Sequence, residues 1–159
     1  MKKGFQTVAN FKKRLSTDHI VIHCSATFPS SDIGVREIRQ WHLGRGWLDV
    51  GYHFVIKRDG TIEEGRPVDV VGSGVKNHNH NTLHICLVGG APKGDPYGFE
   101  ANFTEAQNKS LKELVAKCRT YYARADVIGH HDLDSGKACP SFSVSHWLDT
   151  GEFITSSKG

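Results

Sequence analysis

The feature that most restricts the fold is a change of period at Thr104. Upstream of it, HIVIHCSA (19–26), GYHFVIKRDGTIEEGRP (51–67) and LHICLVGG (83–90) carry short runs rich in β-branched and apolar residues, the pattern of strands. The second run folds back at Asp59-Gly60, a strong hairpin signal. At Thr104, TEAQ matches a capping box with Gln107 three residues after the cap, and Leu111, Leu114, Val115, Cys118 and Tyr122 follow at helical spacing. A long helix with one apolar stripe needs an apolar layer to cover, and the strands supply it. A shorter helix is predicted in GVREIRQWHLGRGW (34–47), where Val35, Ile38, Trp41 and His42 recur and Gly44 and Gly46 end the run. APKGDPYGFEANF (91–103) reads as a surface loop, ADVIGH (125–130) as a strand and SVSHWL (143–148) as final helical turns. The predicted class is α/β (α+β), one domain with a mixed central sheet flanked by helices.

The 159 residues suit a single core. No apolar run approaches the roughly 18 residues of a membrane span. The start, MKKGFQTVANFKKRL, is basic but lacks the apolar stretch of a signal peptide, so a cytoplasmic protein is expected. Residues 1–14 hold five cations and no acid, which leaves the rest of a +3 chain at −2. Two segments are therefore expected: a basic one over 1–14, read as a solvated leader or a contact for an acidic partner, and a domain over 15–159. The mildly acidic body argues against nucleic acid as a direct partner. Nothing in the pattern calls for more than a monomer.

Cys24, Cys86, Cys118 and Cys139 include no CxxC pair, so reduced thiols are the default. Cys24, Cys86 and Cys118 lie on apolar patterns and read as core. The stretch HHDLDSGKACPSF (130–142) is different, packing two histidines, two aspartates, a lysine and a cysteine into one segment. Alternation along the first strand points His23 away from Cys24, and strand geometry continued through the late pair would split His130 from His131. The intervening loop lets Cys139 double back toward His130. Zinc favours tetrahedral nitrogen and sulfur ligands, so His23, His130, Cys139 and one water would make an open site, although neither long interval is a recognised ligand spacing. VKNHNHNTLH (75–84) reads as a polar loop at a cleft edge rather than a second metal site, and His42 and His146 read as structural. Tyr52, as packing or a pocket hydroxyl, and Lys137, as a solvated or metal-facing ammonium, are each ambiguous alone.

The blocks HIVIHCSAT, GVREIRQWH, GWLDVGYHFVIKRDGT, LVGG, ANFTEAQ and HHDLDSGKACPSF, in this order, resemble the zinc amidase lysozymes of T-odd coliphages. These belong to the N-acetylmuramoyl-L-alanine amidase group, whose fold is shared with the peptidoglycan recognition proteins. The resemblance runs from about Asn10 to the C-terminus. It implies that His23, His130 and Cys139 hold one Zn2+ and that Tyr52 and Lys137 assist hydrolysis of the amide between N-acetylmuramic acid and L-alanine in peptidoglycan. It also implies binding and inhibition of the phage RNA polymerase, for which the basic segment is the natural contact. Access to the periplasmic wall would come at lysis, from the host cytoplasm, through a separate membrane-permeabilising protein. Relatives that only bind cell wall typically lack the cysteine. A non-catalytic wall-binding module and a purely regulatory polymerase-binding protein are the alternatives. In one place the chain departs from the phage pattern: the loop before Cys139 is one residue longer and begins with Asp132.

Overall fold

The computed structural model describes residues 11–155. Five strands form one sheet: β1 (His19–Cys24), β2 (Phe54–Ile56), β3 (Ile62–Glu64), β4 (Thr82–Leu87) and β5 (Asp126–Gly129), in the spatial order β3-β2-β4-β1-β5. β2, β4, β1 and β5 run parallel, and only the edge hairpin partner β3 is antiparallel. The predicted turn closes that hairpin: Gly60 has φ +91°, which favours glycine, and the Asp59 carboxylate accepts the Thr61 N–H at 2.9 Å. The mixed sheet flanked by helices is the architecture expected from the sequence.

Parallel strands are covered on both faces, and here the two faces differ. On one, Ile20, Ile22, Ile56, Leu83, Ile85, Leu87 and Val127 pack against Leu111, Leu114, Val115 and Cys118, with Phe142, Val144 and Trp147 completing the core. On the other, Val55, Cys86 and Val88 meet Val35, Ile38 and Val50. The helices are α1 (Val35–Gly44), α2 (Glu105–Tyr121), a single turn α3 (His130–Leu133) and α4 (Val144–Thr150).

The capping box at α2 forms as predicted: Thr104 Oγ1 accepts the Gln107 N–H at 3.0 Å and Gln107 Oε1 accepts the Thr104 N–H at 2.9 Å. Gln107 is wholly buried because its amide also donates to the carbonyls of Ile56 (3.1 Å) and Val88 (2.9 Å), so one side chain starts the helix and ties it to β2 and β4. In α1 the buried positions are Val35, Ile38 and His42, whereas Trp41 is 46% exposed. At 100° per residue Trp41 lies about 120° around the helix from Val35 and about 100° from His42, on the flank of the buried stripe.

The basic segment falls mostly outside the described residues. Its described end packs on the domain: Lys13 bridges Val70, and the buried Arg14 donates to the carbonyls of Val68 (2.6 Å) and Val70 (3.1 Å) and to the Tyr122 hydroxyl (3.1 Å). No helix among the described residues is long and apolar enough to cross a membrane.

Candidate metal centre

Ligand sites in parallel sheets gather at the C-terminal ends of the strands, and this chain follows the rule. His23 is the penultimate residue of β1 and His130 directly follows β5, on the two strands paired side by side. Cys139 arrives from the loop after α3 and is strapped in twice. Its carbonyl accepts the His131 N–H at 2.9 Å, and its Sγ accepts the Cys24 N–H at 3.1 Å.

The ligand atoms of His23, His130 and Cys139 lie within 4.8 Å of one another, and among the described residues they form the one such group of three. The His23 and His130 rings are 4.9 Å apart, and Cys139 Sγ is 3.9 Å from His23 Nδ1. His23 is fully buried, while His130 and Cys139 are partly exposed, so the cluster sits under an opening rather than inside the core. Burial pushes both histidines below their ordinary pKa, and Lys137 adds to the effect at His130. Their ring nitrogens therefore keep lone pairs. Burial also pushes the Cys139 thiol well up, so its thiolate needs a cation beside it. Two neutral imidazoles and a thiol that ionises only against positive charge fit a zinc ion.

Tyr52 lies at the entrance to β2 with its ring 4.9 Å from that of His23. Burial raises its pKa well above the usual value, so the hydroxyl stays protonated and can donate. Lys137 is exposed on the loop before Cys139, near enough to His130 for its charge to be felt there. His23, His130 and Cys139 thus meet at the C-terminal ends of β1 and β5, the Tyr52 ring reaches His23 from the start of β2, and Lys137 stands on the loop that delivers Cys139.

The histidine pair departs from strand alternation. His130 and His131 open the α3 turn, because the strand ends at Gly129, whose N–H donates to the Asp132 carboxylate at 2.7 Å. The 100° step of a helix, not the pleat, separates their rings. His84, read with its neighbours as part of a polar loop, is instead a fully buried residue of β4. The loop reading holds for His78 and His80, around a 3-10 turn at Asn79–Asn81 where Asn79 Oδ1 accepts the N–H groups of Gly74 and Val75. The signal for His84 was its apolar frame: LHICLV is continuous enough to be a central parallel strand, and nothing inside such a strand faces solvent. Cys24, Cys86, Cys118 and His42 are buried, as read from the sequence.

A parallel sheet with an antiparallel edge hairpin, helices on both faces and a His-His-Cys cluster at the strand ends defines a domain of the peptidoglycan recognition protein-like class. Drosophila PGRP-LB superposes with a TM-score of 0.67 at 22% identity, over 94% of this chain and 88% of that one, a likeness of fold. Residues 13–142 match the family described as Amidase_2, N-acetylmuramoyl-L-alanine amidase, and the chain belongs to that family. It is 53% identical over 149 residues to the endolysin of Escherichia phage T7, covering 94% of this chain and 97% of that one. The Ph2119 endolysin from a Thermus scotoductus MAT2119 bacteriophage aligns at 25% identity and a TM-score of 0.72, over 89% of both chains.

Proposed function

We propose that this protein is a zinc-dependent N-acetylmuramoyl-L-alanine amidase, an endolysin that cleaves the amide between N-acetylmuramic acid and the first L-alanine of peptidoglycan. The observation that carries the reading is the convergence of His23, His130 and Cys139 at an opening beside Tyr52. Family membership and the likeness to phage endolysins support the substrate. In this reading His23, His130 and Cys139 hold the ion. Bound zinc supplies Lewis-acid polarisation of the scissile carbonyl and lowers the pKa of its water toward neutrality.

The remaining work falls to the chain. Tyr52, whose hydroxyl keeps its proton, donates a hydrogen bond that orients the reacting groups and strengthens as charge develops on the carbonyl oxygen. Lys137 on its exposed loop brings a positive charge toward the same oxygen. The strapped Cys139 backbone keeps the cluster from rearranging as substrate binds.

Zinc-restored protein should release new L-alanine amino groups from purified peptidoglycan without new reducing sugar ends, and metal-free protein should not. Wall binding with no release in either sample would overturn the reading in favour of a recognition module. The resemblance to the phage lysozymes also supports inhibition of the phage RNA polymerase through the basic segment, and delivery to the wall by a separate permeabilising protein. Trimming residues 1–10, short of the buried Arg14, should relieve polymerase inhibition and leave amide hydrolysis unchanged.

A further inference from the structure

Behind the cluster lies a second layer of histidines. His23 Nε2 and His84 Nδ1 are 2.8 Å apart, both rings fully buried. The His84 ring is stacked on that of His53 at 5.7 Å with only 6° between the planes. His53 can be assigned a tautomer from its partners. The backbone N–H of His84 donates to His53 Nδ1 at 2.9 Å, so the ring hydrogen sits on Nε2, which donates to the Val70 carbonyl at 2.8 Å. That bond fixes one face of the His84 pocket.

Two tautomer pairs are then open to His23 and His84, since a single hydrogen lies between them. If His84 donates, His23 carries its remaining hydrogen on Nδ1, the nitrogen facing Cys139 Sγ, and that nitrogen has no lone pair for a metal. If His23 donates through Nε2–H, its Nδ1 is free toward Cys139.

We propose that His84 is a positioning residue for the metal: its Nδ1 accepts the Nε2–H of His23 and so holds His23 in the tautomer and ring orientation that present Nδ1 to zinc. Ligating histidines in general need such an outer partner, often a carboxylate or a backbone carbonyl; here the partner is a neutral imidazole. Two further features fit the assignment. His84 Nε2 is buried with no hydrogen-bond partner among the described residues, a cost that a purely structural position in β4 would shed by being apolar. Gly74 lines the contact with no side chain: a Cβ there would fall on His84 Nδ1 and within 2.8 Å of His23 Nε2. Gly74 is not in the left-handed region, so space for this hydrogen bond, rather than backbone conformation, calls for a glycine.

The inference rests on the zinc reading of the cluster and can fail separately from it. Zinc affinity would be measured by chelator competition for the wild type and for His84→Leu, His84→Asn and Gly74→Ala, with folding followed by circular dichroism. Loss of an outer partner typically weakens metal binding by about 10–100-fold, and His84→Leu should do so while remaining folded. His84→Asn, whose Oδ1 can accept near the position of Nδ1, should recover most of the affinity. Gly74→Ala, which keeps both rings but crowds their contact, should weaken zinc in the same direction even if His84→Leu does not fold. In zinc-loaded wild type, histidine 15N spectra should show His23 as the Nε2–H tautomer. Equal affinity in His84→Leu or in Gly74→Ala, or an Nδ1–H tautomer in the loaded protein, would overturn the role of His84 alone. A wild type that binds no zinc would overturn the metal reading and this inference with it.

Discussion

Acid should destabilise the metal-free domain before its carboxylates protonate, and two buried histidines outside the cluster set the slope. His53 is 1% exposed, and burial pushes its pKa from 6.5 down to about 3; the Val70 carbonyl opposes the shift, and Arg14 and Arg66 add to it. His42 is 5% exposed and pushed down to about 4 by burial, with Arg45 and Arg66 adding and Asp49 opposing. A histidine whose folded pKa is depressed binds fewer protons folded than unfolded. Its stability is therefore complete above about pH 6.5 and is lost as pH falls toward the folded value. Each such proton costs about 1.4 kcal/mol per pH unit, so by pH 5 each histidine has removed about 2 kcal/mol and the pair about 4. That is a large share of the roughly 5–15 kcal/mol that holds a domain together. His23 and His84, also pushed down by burial, steepen the loss in the same direction. Urea unfolding followed by circular dichroism, with a chelator present and pH stepped from 7.5 to 5, reads the slope. In His42→Asn the amide oxygen can still accept the Gly51 N–H that His42 Nδ1 accepts at 2.8 Å, and in His53→Asn it can still accept that of His84. Neither asparagine titrates, so each variant should lose about 2 kcal/mol less between pH 7.5 and 5. Stability that is flat over this window, or slopes unchanged in both variants, would refute the reasoning.

Tyr52→Phe keeps the ring contacts with His23 and His42 and removes only the hydroxyl, so kcat should fall about 10²–10⁴-fold, or ~3–5 kcal/mol in the barrier, with zinc content and thermal stability unchanged. Activity within threefold of wild type would show that the hydroxyl is a bystander. Cys139→Ser removes the thiolate from the cluster and should abolish both stoichiometric zinc and amino-group release while sparing wall binding in a pull-down; full activity would contradict the ligand set. Gln107→Leu strips the Thr104 N–H of its acceptor and leaves the carbonyls of Ile56 and Val88 without its two N–H donors, and should cost about 2–4 kcal/mol in urea unfolding, with a loss under 1 kcal/mol showing that neighbouring groups take over.

What could be read in the chain and what could not divides along the distance between partners. The α2 cap and the hairpin turn are made by residues within three positions of one another, and both appear where the local pattern puts them. Alternation along β1 separates His23 from Cys24, and the structure keeps them apart, His23 beside His84 and Cys24 beside Ser141. Arg14 is the opposite case. Counted as one charge of a basic segment, it is buried against Val68, Val70 and Tyr122, which stand 54, 56 and 108 residues away, and nothing in its neighbours announces them. His84 lies between these cases. Its burial was legible in LHICLV, but its partner was not, because that depends on the register of two parallel strands, which sets Val21 beside His84 and His23 beside Cys86. A shift of one residue would carry His84 to the other face of the sheet and leave His23 without an acceptor. The register thus does chemical work: the apolar pairs that fix β1 against β4, Ile20 with Leu83 and Ile22 with Ile85, also bring His84 to His23. Disturbing that core should therefore reach the metal centre by tautomer and orientation before it unfolds the domain, so zinc affinity is the more sensitive gauge of β1–β4 packing than thermal stability.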